Sequence, residues 1–342
     1  MTMTTVGFYG GKFLTPHMGH VWCITKASTM VDELHVIITY DDDMEKSESF
    51  NGTVVDHVPV ARRHRWINMI TRDMPNVTVH VIHEPQTWEE DDWKKGAALI
   101  RKAIGKPIDK VFGSEPSYGE YFSWLYPEAE HVILDEHRTR FPISSTDIRS
   151  TGILANWDMI PPEVRRDYVK KVCVLGTESN GKSTLVKNLA RVFSTNYVGE
   201  YGRELFEEMG SYETFPEDYR KIAVGHAHKI NEAVKDANKV LFVDTDAHVT
   251  RNFLVDYLDI DDDAVVNAVA ATQDFDLVLF LEPDVKWVDD GTRILGGDDQ
   301  RSAASERLKS FLDDAGVEYV TVSGSYEQRF ATAEAIVNDL IA

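Results

Sequence analysis

The sequence predicts two α/β domains in tandem, each built on a doubly wound parallel sheet. Three observations carry this. Short apolar, β-branched runs alternate with segments of helical spacing along the whole chain. Two of these runs feed glycine loops that open helices, at Gly10-Gly11 and at Gly176. Between the halves lies Pro161-Pro162, then the charged stretch Glu163-Val164-Arg165-Arg166-Asp167, the composition of a boundary. Domains are expected over 1–160 and 168–342.

In the first domain, Thr5 to Gly10 is the opening strand, followed by a glycine loop and a helix to about Met30. Leu34 to Tyr40, Val77 to Ile82, Asp109 to Gly113 and His131 to Asp135 are the further strands. Val60 to Met69 and Trp93 to Ala103 have helical spacing, and the acidic stretch 41–57 reads as a polar loop. In the second domain, Lys171 to Leu175 is a strand, Leu185 to Phe193 a helix, and 217–237 another helix. Lys239 to Asp246, Asp276 to Leu281 and Val317 to Val322 are strands, and a last helix covers 326–341.

The chain has 342 residues, 43 % hydrophobic and 27 % charged, a profile of packed globular domains. Its formal net charge of −21 argues against a non-specific nucleic-acid binder or a membrane-surface protein, which need a basic face. Phosphate ligands stay open, because a few local cations and amides suffice for them. Cys23 and Cys173 lie in apolar segments without metal spacing and read as buried reduced thiols. The N-terminus lacks a secretory pattern and no apolar stretch reaches membrane-spanning length. A cytoplasmic protein, with no nucleic acid and no membrane as partner, is expected.

The sharpest motif is Gly176-Thr177-Glu178-Ser179-Asn180-Gly181-Lys182-Ser183-Thr184, between strand and helix. In that context the spacing is a phosphate loop. Gly176, Ser179, Gly181 and Thr184 belong to a backbone cradle, Lys182 reaches the β- and γ-phosphates of ATP, and Ser183 ligates Mg²⁺. Asp244 ends an apolar strand, where such folds keep a carboxylate that serves the metal or accepts a hydroxyl proton; Asp246 beside it reads as a helix cap. Arg293 and Arg301 follow the next strand and suit a lid that neutralises phosphate charge. Tyr201 and Trp287 are candidates to sandwich an aromatic ring, and Asp289 and Asp290 to bind ribose hydroxyls.

In the first half, His17-Met18-Gly19-His20 follows the strand and Gly11-Lys12-Phe13. Imidazoles at i and i+3 share one side of a helix start, and Gly19 admits a ligand close to the backbone. Donors there suit a polyphosphate that gains charge as it leaves. Ser144 and Thr146, with Arg149 one turn on, read either as a helix cap or as a pyrophosphate cradle. Paired with the histidine loop, the cradle is preferred. Trp88, after a strand, is placed either to stack on a flat base or to pack on a helix.

These motifs resemble a known superfamily. Gly-Lys-Phe-x-x-x-His-x-Gly-His with Ile-Ser-Ser-Thr-x-Ile-Arg is similar to nucleotidyltransferases that join ATP to a phosphate or phosphosugar. Pro16 stands three residues after Phe13, where the family places it two after, although the Phe-to-His spacing is kept. With Gly-Thr-Glu-Ser-x-Gly-Lys-Ser-Thr, Glu-Tyr-x-Arg-Glu, Asp-Thr-Asp and Trp-Val-Asp-Asp-Gly, nearly the whole chain resembles the bifunctional NadR-like proteins. The resemblance implies a Rossmann-like nicotinamide mononucleotide adenylyltransferase followed by a P-loop ribosylnicotinamide kinase. It implies ATP, nicotinamide riboside, nicotinamide mononucleotide and NAD as ligands, Mg²⁺ as cofactor, and a homo-oligomer. It places Gly11, Lys12, Phe13, His17, His20, Ser144, Thr146 and Arg149 on ATP in the first domain. It gives the kinase chemistry to Lys182, Asp244 and Arg293. Longer members carry a helix-turn-helix domain; with the first strand starting near Thr5, no DNA binding is expected. The alternatives are another transferase–kinase pair, such as a pantetheine or cytidylyl type, and a nucleotide sensor without turnover.

Overall fold

The computed structural model describes residues 4–84, 90–114, 119–285 and 298–342. The chain divides into two compact units, Met1–Arg165 and Arg166–Ala342. The Pro161-Pro162 stretch is not a loose linker. It forms the short helix Pro162–Arg165, where Val164 is buried and Arg165 donates to the carbonyls of Trp157 at 2.9 Å and Ile160 at 2.8 Å.

The N-terminal unit holds five parallel strands: β1 (Val6–Gly11), β2 (Glu33–Tyr40), β3 (Val77–His83), β4 (Lys110–Gly113) and β5 (Glu130–Ile133). Their order is β3-β2-β1-β4-β5. The period-two alternation of strands sends side chains to both faces. Val6, Phe8 and Ile37 pack with Ala97 and Ile100 of the helix Glu90–Ile104. Tyr9, Val36 and Ile38 pack with Cys23, Ile24 and Ile67 on the other side. The order reverses between β1 and β4, which opens a crevice at the carboxyl ends of those strands. The loop after β1 lines that crevice.

The C-terminal unit repeats the plan with β6 (Lys170–Leu175), β7 (Tyr197–Val198), β8 (Val240–Asp244), β9 (Leu277–Leu281) and β10 (Val320–Val322), ordered β10-β9-β6-β8-β7. Val172 and Val174 are fully buried against Leu185, Val186 and Leu189 of the helix Lys182–Val192. Register places Val174 opposite Asp244, so the β8 carboxylate comes up beside the loop that leaves β6.

Nine strands were legible in the sequence; β7, two residues long, was not. The stretch 41–57 is also more ordered than a polar loop. It holds the helix Asp42–Met44 and one π-turn, Glu45–Ser49. Glu45 is fully buried because Arg63, equally buried, grips its carboxylate at 2.7 Å. Removing one member of such a pair strands the other and costs about 3–5 kcal/mol. Both cysteines are free and buried. Among the described residues no helix is long and apolar enough to cross a membrane.

Candidate active sites

At the carboxyl end of β1, His17 caps the helix Met18–Ser28 and is 8 % exposed. The His20 ring lies against it, centroids 3.8 Å apart, and His20 Nδ1 accepts the His17 backbone N–H at 3.2 Å. An accepting Nδ1 leaves the His20 proton on Nε2, as a donor. Burial is the main cause that lowers both histidines: His17 falls to about 4, helped by Arg138, and His20 falls well below its usual value. Both rings are therefore neutral donors near pH 7. A Cβ on Gly19 would stand 2.9 Å from the His17 ring, so Gly19 clears space for His17. Gly19 also lines the cavity described next, so the same missing side chain leaves its backbone open to a ligand there.

These histidines line a cavity of about 160 Å³ with Ser144, Ser145 and Thr146. Ser144 is also a true helix cap: its Oγ accepts from Asp147 N at 3.1 Å and donates to Asp147 at 2.6 Å. The cap reading holds, and it leaves Ser144 and Thr146 on the cavity wall, where the cradle reading needs them. Arg149 does not line the cavity. Its guanidinium donates to Ser49 O at 2.8 Å, Leu14 O at 2.5 Å and Thr146 Oγ1 at 3.1 Å, which ties the loop after β1 to its surroundings. Arg138 is the lining arginine instead. It stands on a loop that Asp135 folds back by accepting from the N–H and hydroxyl of Thr139 at 2.9 Å each. Gly11, Lys12 and Phe13 also lie outside the lining. Phe13 backs His20 at 5.0 Å, and Lys12 offers its carbonyl to Arg63 at 2.6 Å.

In the second unit the phosphate loop has the predicted form. Gly181 takes φ +81°, and a Cβ there would stand 2.6 Å from the Tyr326 ring. Lys182 is buried and donates to Thr177 O at 2.8 Å, a bond that a phosphate oxygen would replace. The loop is braced from behind. Asn180 donates to Leu281 O at 3.0 Å, Arg301 donates to the Asn180 side chain at 2.8 Å, and Arg329 donates to Asn180 O at 2.7 Å. Arg301, expected on a lid, is 1 % exposed and serves this brace.

Asp244 is 1 % exposed; it accepts from Ser183, and its Oδ1 has no hydrogen-bond partner among the described residues. A buried carboxylate oxygen left open beside that hydroxyl fits a divalent cation. Burial raises Asp244, against the pull of Lys182 and Ser183. Asp246 is the cap of the helix Ala247–Leu258, accepting from Val249 N at 2.9 Å.

A cavity of about 200 Å³ opens in front of Ser179, Gly181, Lys182, Ser183 and Thr184. Glu200 and Arg203 line it, and burial, then Asp244, raises Glu200. Aromatic walls come from Phe206, Tyr212, Tyr219, Phe253 and Tyr257. Tyr201 is not among them; Lys229 Nζ stands 4.9 Å over its ring, and a Cβ on Gly225 would clash with it. Trp88, Trp287, Asp289, Asp290 and Arg293 lie outside the described residues. Glu200 and Arg203 sat in the Glu-Tyr-x-Arg-Glu signature and could have been found there. The lining aromatics carry no local signal beyond helix packing.

Comparison with known proteins agrees with this division. A cytidylyltransferase-like family model matches residues 8–151, and an AAA domain model matches residues 171–329. The trifunctional NAD biosynthesis/regulator protein NadR of Escherichia coli K12 is 35 % identical over 351 residues, 98 % of this chain and 83 % of that one. Its Salmonella typhimurium LT2 counterpart is 35 % identical over 350 residues, with the same coverage. A phosphopantetheine adenylyltransferase of Neisseria meningitidis is 30 % identical over 141 residues, 41 % of this chain and 75 % of that one. Crystal structures of a NadR protein, one with NAD and AMP-PNP and one with NR, superpose with TM-scores of 0.76 and 0.77. Each is 23 % identical and covers 98 % of this chain and 96 % of its own, a likeness of fold. The pantetheine-type relative reaches one unit, whereas the NadR proteins span both. The chain belongs to the NadR family.

Proposed function

We propose that each unit carries one ATP-dependent step of NAD biosynthesis. The chain is a ribosylnicotinamide kinase and a nicotinamide mononucleotide adenylyltransferase: it phosphorylates nicotinamide riboside, then joins the mononucleotide to the AMP part of ATP, releasing pyrophosphate. The observation that supports the reading is a separate polar cavity in each unit, one in front of the phosphate loop with Lys182 and one lined by His17, His20 and Arg138.

In the C-terminal unit the 5′-hydroxyl of the riboside attacks the γ-phosphate of ATP. Loop amides and Lys182 hold the phosphates. Ser183 and Asp244 would hold Mg²⁺, which supplies charge neutralisation of the β- and γ-phosphates when bound. Glu200, which lines the cavity, takes the hydroxyl proton in this reading, since Asp244 is hydrogen-bonded to Ser183 and does not line it. Arg293, as a lid residue, and Trp287, Asp289 and Asp290, as riboside contacts, remain part of this proposal on sequence grounds. In the N-terminal unit the mononucleotide phosphate attacks the α-phosphate. His17, His20 and Arg138, with the hydroxyls of Ser144 and Thr146, receive the charge that grows on pyrophosphate. Arg149 acts one layer behind, holding the loop.

Incubation of the purified chain with nicotinamide riboside, ATP and Mg²⁺, followed by mass spectrometry, tests this. Mononucleotide, NAD and pyrophosphate are expected; ATP consumed without either nucleotide product would refute the reading.

A further inference from the structure

We propose that Glu178 and Tyr257 form the subsite that reads the sugar hydroxyls of the phosphoryl acceptor. This rests on the phosphorylation reading above. Glu178 stands three residues into a loop whose task is to hold polyphosphate. A carboxylate in that position repels the ligand unless it is turned away. It is turned away: its Oε1 accepts the Tyr257 hydroxyl at 2.5 Å, and both residues line the acceptor cavity with Lys182 and Ser183. Burial, then the neighbouring Glu178, pushes the Tyr257 phenol up, so it stays an O–H donor.

The other oxygen, Oε2, is enclosed and has no hydrogen-bond partner among the described residues. An ionised carboxylate accepts on both oxygens, and a buried acceptor left open is an unfinished arrangement. The acceptor substrate supplies the donor. Its attacking primary hydroxyl has to reach the γ-phosphate that Lys182 and Ser183 serve, in the same loop as Glu178. The atoms held next to that hydroxyl are those of its own sugar ring, while Phe206, Tyr212 and Phe253 are left for the base. A secondary hydroxyl of the ribose is an O–H donor of the right reach. Tyr257 fixes the Glu178 side chain so that the second oxygen waits for it.

The test compares the full-length chain with Glu178→Gln by kcat/KM for phosphorylation. The acceptors are nicotinamide riboside, its 2′-deoxy and 3′-deoxy analogues, and the uncharged dihydronicotinamide riboside. A site built around a hydroxyl rejects the analogue lacking it by about 10⁴-fold at the limit. Wild type is expected to disfavour one deoxy analogue by about a hundredfold or more. Glu178→Gln should cut that ratio to about tenfold or less, mostly through KM, with equal losses on the charged and uncharged rings. Tyr257→Phe should move the ratio the same way by a smaller factor, and carries the test if the Gln variant fails to fold. Equal losses on the riboside and both deoxy analogues overturn the subsite. So does a loss confined to the charged ring, which makes Glu178 a counter-ion for the base. A wild type that phosphorylates no riboside overturns the phosphorylation reading, and the subsite with it. A wild type that does, beside a Gln variant of unchanged ratio, overturns the subsite alone.

Discussion

Each cavity is lined by a cation, Arg138 in one and Lys182 in the other, and the two differ in the groups beside it. In the N-terminal cavity the paired histidines are buried and neutral, donors without fixed charge. In the C-terminal cavity a buried lysine stands among carboxylates that burial has raised, Glu200 on the wall and Asp244 behind Ser183. The nucleophile explains the difference. A mononucleotide phosphate arrives already deprotonated, so the N-terminal site needs donors for the leaving pyrophosphate and no base. A ribosyl hydroxyl arrives with its proton, so the C-terminal site needs a carboxylate near the attack as well as cations on the phosphates. The same wound sheet thus serves two group transfers, and the loop after its central strand is dressed differently in each.

The most forceful way to break this comparison is Lys182→Ala. Loss of its charge from the phosphate loop should lower phosphorylation of the riboside by about a thousandfold and leave adenylylation of the mononucleotide unchanged. His20→Ala should do the reverse, with adenylylation falling about a hundredfold. Steady-state assays of both reactions on each variant decide it; a folded variant that loses both activities would end the assignment of one step to each unit. Gly181→Ala is milder. Its φ of +81° and the Tyr326 ring 2.6 Å from the new Cβ predict a loss of about 1–3 kcal/mol in the C-terminal unit. Calorimetry should show one of two transitions moving down, and a shift of the other would place the strain wrongly.

What the sequence disclosed and what it hid follow from the range of the forces involved. Lys182, Ser183, His17 and His20 were readable because strand, glycine and helix stand adjacent in the chain and their chemistry is local. Arg149 was readable as an arginine one turn into a helix, and its destination was not. Whether a guanidinium meets a phosphate or three protein oxygens depends on where Ser49 and Leu14 arrive in space. Arg138, the residue that faces the cavity, had no neighbours in sequence to single it out. Glu45 looked like one more solvated acid because its partner Arg63 lies on another element. The aromatic wall failed in the same way. Phe253 and Tyr257 are four apart on one helix, a spacing that reads as core packing, and Phe206 and Tyr212 reach the cavity from elsewhere in the chain.

The finest test concerns protons. His17 titrates near 4 in the folded chain and near 6.5 when unfolded. Its neutral burial therefore stabilises the N-terminal unit fully above pH 6.5, and that stabilisation is lost as pH falls from 6.5 through 4. The single-site limit is about 3 kcal/mol, and His20 acts in the same direction. Bound phosphates reverse the local balance, because an anion beside a ring favours its protonated form. ATP should therefore raise the His17 midpoint and take up protons as it binds below pH 6.5. An NMR titration of the His17 Cε1 proton, with and without nucleotide, measures both midpoints. A free midpoint near 6.5 would mean that water fills the space around the ring. The contrast between neutral imidazoles beside the cation in one unit and carboxylates beside it in the other would then dissolve.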